Sequence, residues 1–354
     1  MRWPVNTPIR LLSEWGWQFV FPSANRSADP RIIHRSANTS REQHVAKVKS
    51  NGIEIEYEEF GAPDAPVLLL VMGLGMQLLA WPKPFCALLV AAGFRVIRFD
   101  NRDVGLSSKI EGRKTPGMLR MILSLLFGWK LRRPPYTLDD MTADTVGLLD
   151  ALGIQQAHIV GASMGGMIVQ TLAARYPQRV LSLTSIMSTS GDRKSSAMEF
   201  RDLRKIFLRP QPPANATRDQ VVEHMATTAE YVGSAEHLRE VSHLRAMLSE
   251  SFDRGYYPDG FMRQTCAIVA HGSRRDLLRQ IKAPTLVIHG KRDILVPPSG
   301  GLDTAVHIHG ARLELIDDMG HDLPPALWPA ISGLIIRHCQ QPPQPASAAN
   351  ASAA

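Results

Sequence analysis

The chain has 354 residues, 40 Lys and Arg against 33 Asp and Glu, a formal charge of +7 and 44% hydrophobic residues, which excludes a low-complexity or fibrous chain and leaves ample material for a buried core. Its basic excess is mild and dispersed, so it does not imply a nucleic-acid partner. The three cysteines, Cys86, Cys266 and Cys339, form no C-x-x-C pair, which excludes a disulfide framework and a cysteine-based zinc module and fits a cytoplasmic setting.

In chain order, residues 1–45 read as an N-terminal extension. Arg2, Arg10, Arg26, Arg31 and Arg35 punctuate it, but Ser13-Glu14 breaks the apolar stretch a secretory signal needs. Ile9, Leu12, Trp15 and Phe19 approach helical spacing. They are read as a short helix packed on the protein's own surface or on a second subunit, with weak membrane-surface contact as the alternative. From Ala46 the pattern changes. Ile53, Ile55 and Tyr57 alternate with Glu54, Glu56 and Glu58, the mark of a half-buried antiparallel strand.

Short continuous apolar runs follow at Val67–Met72, Phe94–Phe99, His158–Val160, Val180–Met187, Thr285–Ile288 and Leu313–Ile316. Continuous runs rich in Val, Ile and Leu describe strands buried on both faces, hence a mostly parallel sheet. Helices are expected at Leu138–Leu152 and Met164–Arg175. Met118–Trp129, apolar and flanked by basic residues, is read as a helix packed beneath a lid, with an acyl pocket or a lipid contact as alternatives. It is too short to span a bilayer, which takes about 20 residues. Between residues 190 and 282 the strand pattern lapses, and a helical lid over the strand ends is expected. The core thus divides into 46–189 and 283–340, with a disordered tail at 341–354.

Gly161-Ala162-Ser163-Met164-Gly165 matches G-x-S-x-G between a predicted strand and a predicted helix. Such a turn lifts the Ser163 hydroxyl clear of the sheet at a helix N-terminus, where free N–H groups favour developing negative charge. A serine hydroxyl needs a base. His321, in Asp317-Asp318-Met319-Gly320-His321 just past a predicted strand, is the candidate among twelve histidines. Asp293, past Gly290 at another strand end, is the candidate to orient it, with Asp192 as a rival. Backbone N–H groups of Met164 and Leu74 are the candidate oxyanion donors, with Gly73 next. Gly73, Gly75, Met76 and Met319 are expected beside the substrate. His307-x-His309 lacks a third ligand, so no metal site is expected.

Together these residues resemble the α/β-hydrolase superfamily over roughly Ala46 to Cys339. Leu68-Leu69-Leu70-Val71-Met72-Gly73, Trp81-Pro82, Arg95 through Ser107 and His158 through Gly165 are similar to the aclacinomycin methylesterase-like group of serine esterases. That resemblance implies an α/β-hydrolase fold with helices on both faces, the chain order Ser163, Asp293, His321 for a triad, and hydrolysis of a small-molecule carboxylic ester with neither metal nor organic cofactor. C–C bond, lactone, amide or acyl-transfer chemistry on the same fold is the alternative, as is a ligand-binding or membrane-associated protein with little turnover. Neither the natural ester nor the oligomeric state follows from the residues.

Overall fold

The computed structural model describes residues 44–340 except 117–119, 122, 123, 125–130, 132, 208–211 and 214. Residues 1–43 of the extension, the tail and most of Met118–Trp129 therefore lie outside the described residues, while His44 and Val45 already belong to the first strand. Eight strands form one sheet in the order β1-β2-β4-β3-β5-β6-β7-β8. β1 (His44–Ser50) and β2 (Ile53–Phe60) make an antiparallel edge hairpin, and β2 runs antiparallel to β4 (Arg95–Phe99). The remaining neighbours are parallel: β4 with β3 (Val67–Val71), then β5 (Ala157–Ala162), β6 (Val180–Ile186), β7 (Thr285–Gly290) and β8 (Arg312–Ile316).

The apolar runs explain the layering. In β3, Val67, Leu69 and Val71 face one layer while Leu68 and Leu70 face the other. A strand alternates its side chains, so a run buried on both faces must be apolar throughout. On the first face pack α2 (Leu138–Ala151) and α3 (Met164–Arg175). Thr137 starts α2 with a reciprocal capping box to Asp140. On the second face pack α1 (Lys83–Ala91) and α10 (Trp328–Gln340), with Trp81, Phe85, Ile331 and Ile335 fully buried between them and the sheet.

Between β6 and β7 the chain leaves the sheet for α4 (Phe200–Phe207), α5 (Arg218–Val232), α6 (Val241–Gly255), α7 (Pro258–His271) and α8 (Arg275–Leu278). α6 and α7 reach the loops that follow β3 and β4. Arg254 of α6 pairs with Asp100, and Arg263 of α7 lies 2.9 Å from Asp103. Short α8 instead packs against α3 and against α9 (Pro298–His307), and its Leu278 joins the first core layer. At α6 and α7 the helical insert therefore meets the loops at the carboxyl ends of β3 and β4, and at α8 it returns to the body of the molecule before β7.

Candidate active site

Ser163 sits between the end of β5 and the first residue of α3, with φ 55° and ψ −120°. A side-chain-bearing residue at such angles is strained and persists only where its surroundings fix it. Here the surroundings are tight. Ser163 N–H donates to Ile186 O (2.9 Å), and the Ser188 hydroxyl donates to Ser163 O (2.8 Å). A Cβ on Gly161 would lie 2.3 Å from Gly165 O, and one on Gly165 would lie 2.1 Å from Val71 O. Glycine at both positions is thus a packing requirement of the turn.

His321 and Asp293 come from loops after β8 and β7. His321 Nε2 lies 2.9 Å from Ser163 Oγ, and its Nδ1 lies 2.7 Å from Asp293 Oδ2. The carboxylate's other oxygen accepts N–H bonds from Leu295 (3.0 Å) and Val296 (2.8 Å). Burial pushes the Asp293 carboxyl up, but His321 and His289 beside it outweigh that and hold it below the usual carboxylate range. A hydroxyl facing the Nε2 of an imidazole held through Nδ1 by a carboxylate can pass its proton to that imidazole as its oxygen attacks a carbonyl.

His289 carries a contact that its position at a strand end did not signal. Its fully buried ring places Nε2 2.8 Å from Val296 O and 3.4 Å from Asp293 Oδ2. Two acceptors face Nε2, so that nitrogen carries the proton. Its spacing to Asp293 (i, i+4 across a turn) was the available signal. Asp192, the rival acid, instead pairs with Arg275 at 3.0 Å and caps its own turn.

The turn after β3 lies against the nucleophile. A Cβ on Gly73 would stand 3.0 Å from Ser163 Cβ and 3.5 Å from its Oγ. Met76 N–H closes the turn on Gly73 O at 3.3 Å, with Leu74 between. Met164 opens α3, where a first-turn N–H has no intrahelical acceptor. Gly75 and Met76 form one wall of a recess whose other walls include Val104, Met225, Leu248, Phe252 and Phe261, largely from the insert. Met319 departs from expectation. Its side chain is fully buried in the second core layer, and its carbonyl accepts from Arg292 N–H at 3.0 Å. It packs beneath the histidine loop and does not line the recess, because that loop turns its apolar residue toward the sheet.

Asp100 and Asp103, which lie within the Arg95–Ser107 stretch that carries the family resemblance, organise this end of the sheet. Asp100 accepts N–H bonds from Leu78 (2.8 Å) and Leu106 (2.9 Å), and Asp103 accepts from Ile110 (2.7 Å). A family model described as the alpha/beta hydrolase fold matches residues 66–324. The chain belongs to the alpha/beta hydrolase fold family. This hydrolase is 29% identical over 304 residues to the rhodomycin D methylesterase DauP of Streptomyces sp. strain C5, covering 79% of this chain and 93% of that protein. It is 26% identical over 267 residues to 3-oxoadipate enol-lactonase 2 of Acinetobacter baylyi, covering 75% of this chain and 85% of that one. Among solved structures, the enol-lactonase from Burkholderia xenovorans LB400 superposes with a TM-score of 0.63, covering 84% of this chain and 100% of that chain at 24% identity, a likeness of fold alone.

Proposed function

We propose that this hydrolase is a serine esterase that cleaves carboxylic esters of methyl or short-to-medium acyl type through an acyl-enzyme. The observation that carries the reading is the unbroken hydrogen-bonded line from Ser163 Oγ through His321 to Asp293, at 2.9 and 2.7 Å. His321 Nε2 takes the Ser163 proton as Oγ bonds to the ester carbonyl carbon. Asp293 stabilises the imidazolium, and the N–H groups of Leu74 and Met164 hold the oxyanion. The C–O bond then breaks as His321 returns the proton to the leaving alcohol. Water, deprotonated by His321, attacks the acyl-enzyme and releases the acid with Ser163 restored.

Apolar side chains from the insert, among them Met225, Leu248 and Phe261, stand beside the Gly75–Met76 end of the turn that abuts Ser163 and favour a substrate with a hydrophobic acyl or alcohol part there. Similarity to a methylesterase and an enol-lactonase supports attack on an acyl–oxygen bond, and a lactone, as a cyclic ester, is the second substrate class. Three free cysteines, two of them buried, agree with a cytoplasmic setting.

Incubation with a small fluorophosphonate should give one adduct, on Ser163, located by mass spectrometry. Ser163→Ala should lower p-nitrophenyl butyrate turnover by about 10⁴-fold or more with the fold intact. Turnover retained in folded Ser163→Ala would sink the reading. A labelled serine without ester turnover, in a panel that adds lactones, diketones and amides, would move the assignment to another bond on the same machinery.

A further inference from the structure

Resting on the serine-esterase reading, we propose that Gln264, on α7 of the helical insert, is a positioning residue that fixes the oxyanion turn Gly73–Met76 from outside the core. Gln264 is fully buried. Its Oε1 accepts the Gly75 N–H at 2.8 Å, and its Nε2 donates to Arg102 O at 2.8 Å. One side-chain amide therefore bridges the loops that follow β3 and β4. One helical turn earlier, Phe261 closes on the same glycine: a Cβ on Gly75 would lie 2.7 Å from Phe261 Cδ2.

The bridge has a direction. Gly75, at φ +68°, occupies the third position of a turn closed by Met76 N–H on Gly73 O. In such turns the central peptide, here Leu74–Gly75, can rotate by half a revolution between turn types. Rotation would present the Leu74 carbonyl to Gln264 in place of the Gly75 N–H. Gln264 could meet that carbonyl only by turning its own amide, which would set Oε1 against Arg102 O. The Arg102 carbonyl thus dictates the amide orientation, and the amide dictates the peptide orientation. Fixing that peptide fixes the ψ angle of Leu74, and so the shape of the turn around the preceding Gly73–Leu74 peptide, whose N–H is the proposed oxyanion donor and whose Gly73 lies against Ser163. Oxyanion donors act through preorganisation, so a turn free to rotate costs rate and leaves ground-state binding nearly unchanged.

The first step is wild-type protein: a Ser163 fluorophosphonate adduct with ester turnover establishes the underlying reading, and absence of both overturns that reading itself. Gln264→Met keeps the volume and removes both bonds. Its kcat on p-nitrophenyl acetate should fall about 10–100-fold with KM within about threefold of wild type. Gln264→Glu supplies the second readout and decides the matter where Gln264→Met does not fold. The introduced carboxyl, when protonated, offers one acceptor and one donor like the amide; when ionised, it sets a second acceptor against Arg102 O. Its kcat should therefore carry a falling limb with rising pH that wild type lacks. Wild-type kcat in folded Gln264→Met, or a Gln264→Glu profile superimposable on wild type, overturns the proposal.

Discussion

At Asp293 four donors converge on one buried carboxylate: the N–H groups of Leu295 and Val296, the His321 ring and, at longer range, the His289 ring. Burial alone would favour the neutral acid, and the two histidines reverse the balance. A carboxyl whose folded value is depressed contributes stability above its unfolded value, and that contribution is lost as the pH falls through the folded value. Asp293→Asn should therefore flatten the acid side of the melting temperature against pH, read by calorimetry. The same change reverses one partner of the His321 Nδ1–H bond and should cost about 10⁴-fold in kcat, as a wrongly held imidazole does in such triads. An acid limb of stability as steep as that of wild type would show that Asp293 is not held low.

The helical insert does more than cover the strand ends; it builds the loops beneath it. His321 N–H donates to the carbonyl of Val232, the last residue of α5, at 2.8 Å, and Gly320 N–H donates to Ser234 Oγ, just past that helix, at 3.0 Å. Ser234 in turn bonds the carboxylate of Asp322 through its N–H at 2.9 Å and through its hydroxyl. Burial pushes the Asp322 carboxyl up, and the Ser234 bonds only partly offset it. Ser234→Ala removes the acceptor of Gly320 N–H and one of Asp322's donors, so kcat should fall about tenfold through misplacement of His321, with fluorophosphonate labelling of Ser163 slowed in parallel. Unchanged labelling would show that the loop holds itself. These ties mark where the sequence stopped being legible. Strands β3 to β7 and the Ser163 turn could be read because each rests on a local pattern of burial or turn chemistry, whereas the order Ser163, Asp293, His321 rests on the family resemblance, and β8, expected to be buried on both faces, is a half-buried edge strand. Gln264 meets Gly75 across 189 residues and Ser234 meets Asp322 across 88, and no local pattern encodes which polar side chain will face which loop. Met319 misled for the converse reason: adjacency to His321 in sequence says nothing about which way a loop turns its apolar residue.

Across the whole molecule, the insert and the sheet are joined by charges that water scarcely reaches. The Arg263 and Asp103 side chains are 6% and 0% exposed, and those of Arg254 and Asp100 are 13% and 0%. Lifting the insert as a body would break both pairs together with the Gln264 bridge. Hydrogen bonds involving charged groups contribute about 1.5–3 kcal/mol each, so a fully open state of the insert would be rarely populated. This predicts substrate entry by side-chain and loop movement rather than by lifting of the insert. Hydrolysis of p-nitrophenyl butyrate should rise hyperbolically through its solubility limit and show no jump when micelles form. A sharp increase at the interface would mean that the insert opens as a lid. Arg263→Met provides the energetic counterpart. It leaves Asp103 buried without its cation, which typically costs about 3–5 kcal/mol, and urea unfolding should register that loss. If the insert is a fixed part of the site, this loosened variant should gain no activity at micelles. If closure limits turnover in wild type, the variant should become the more active enzyme there.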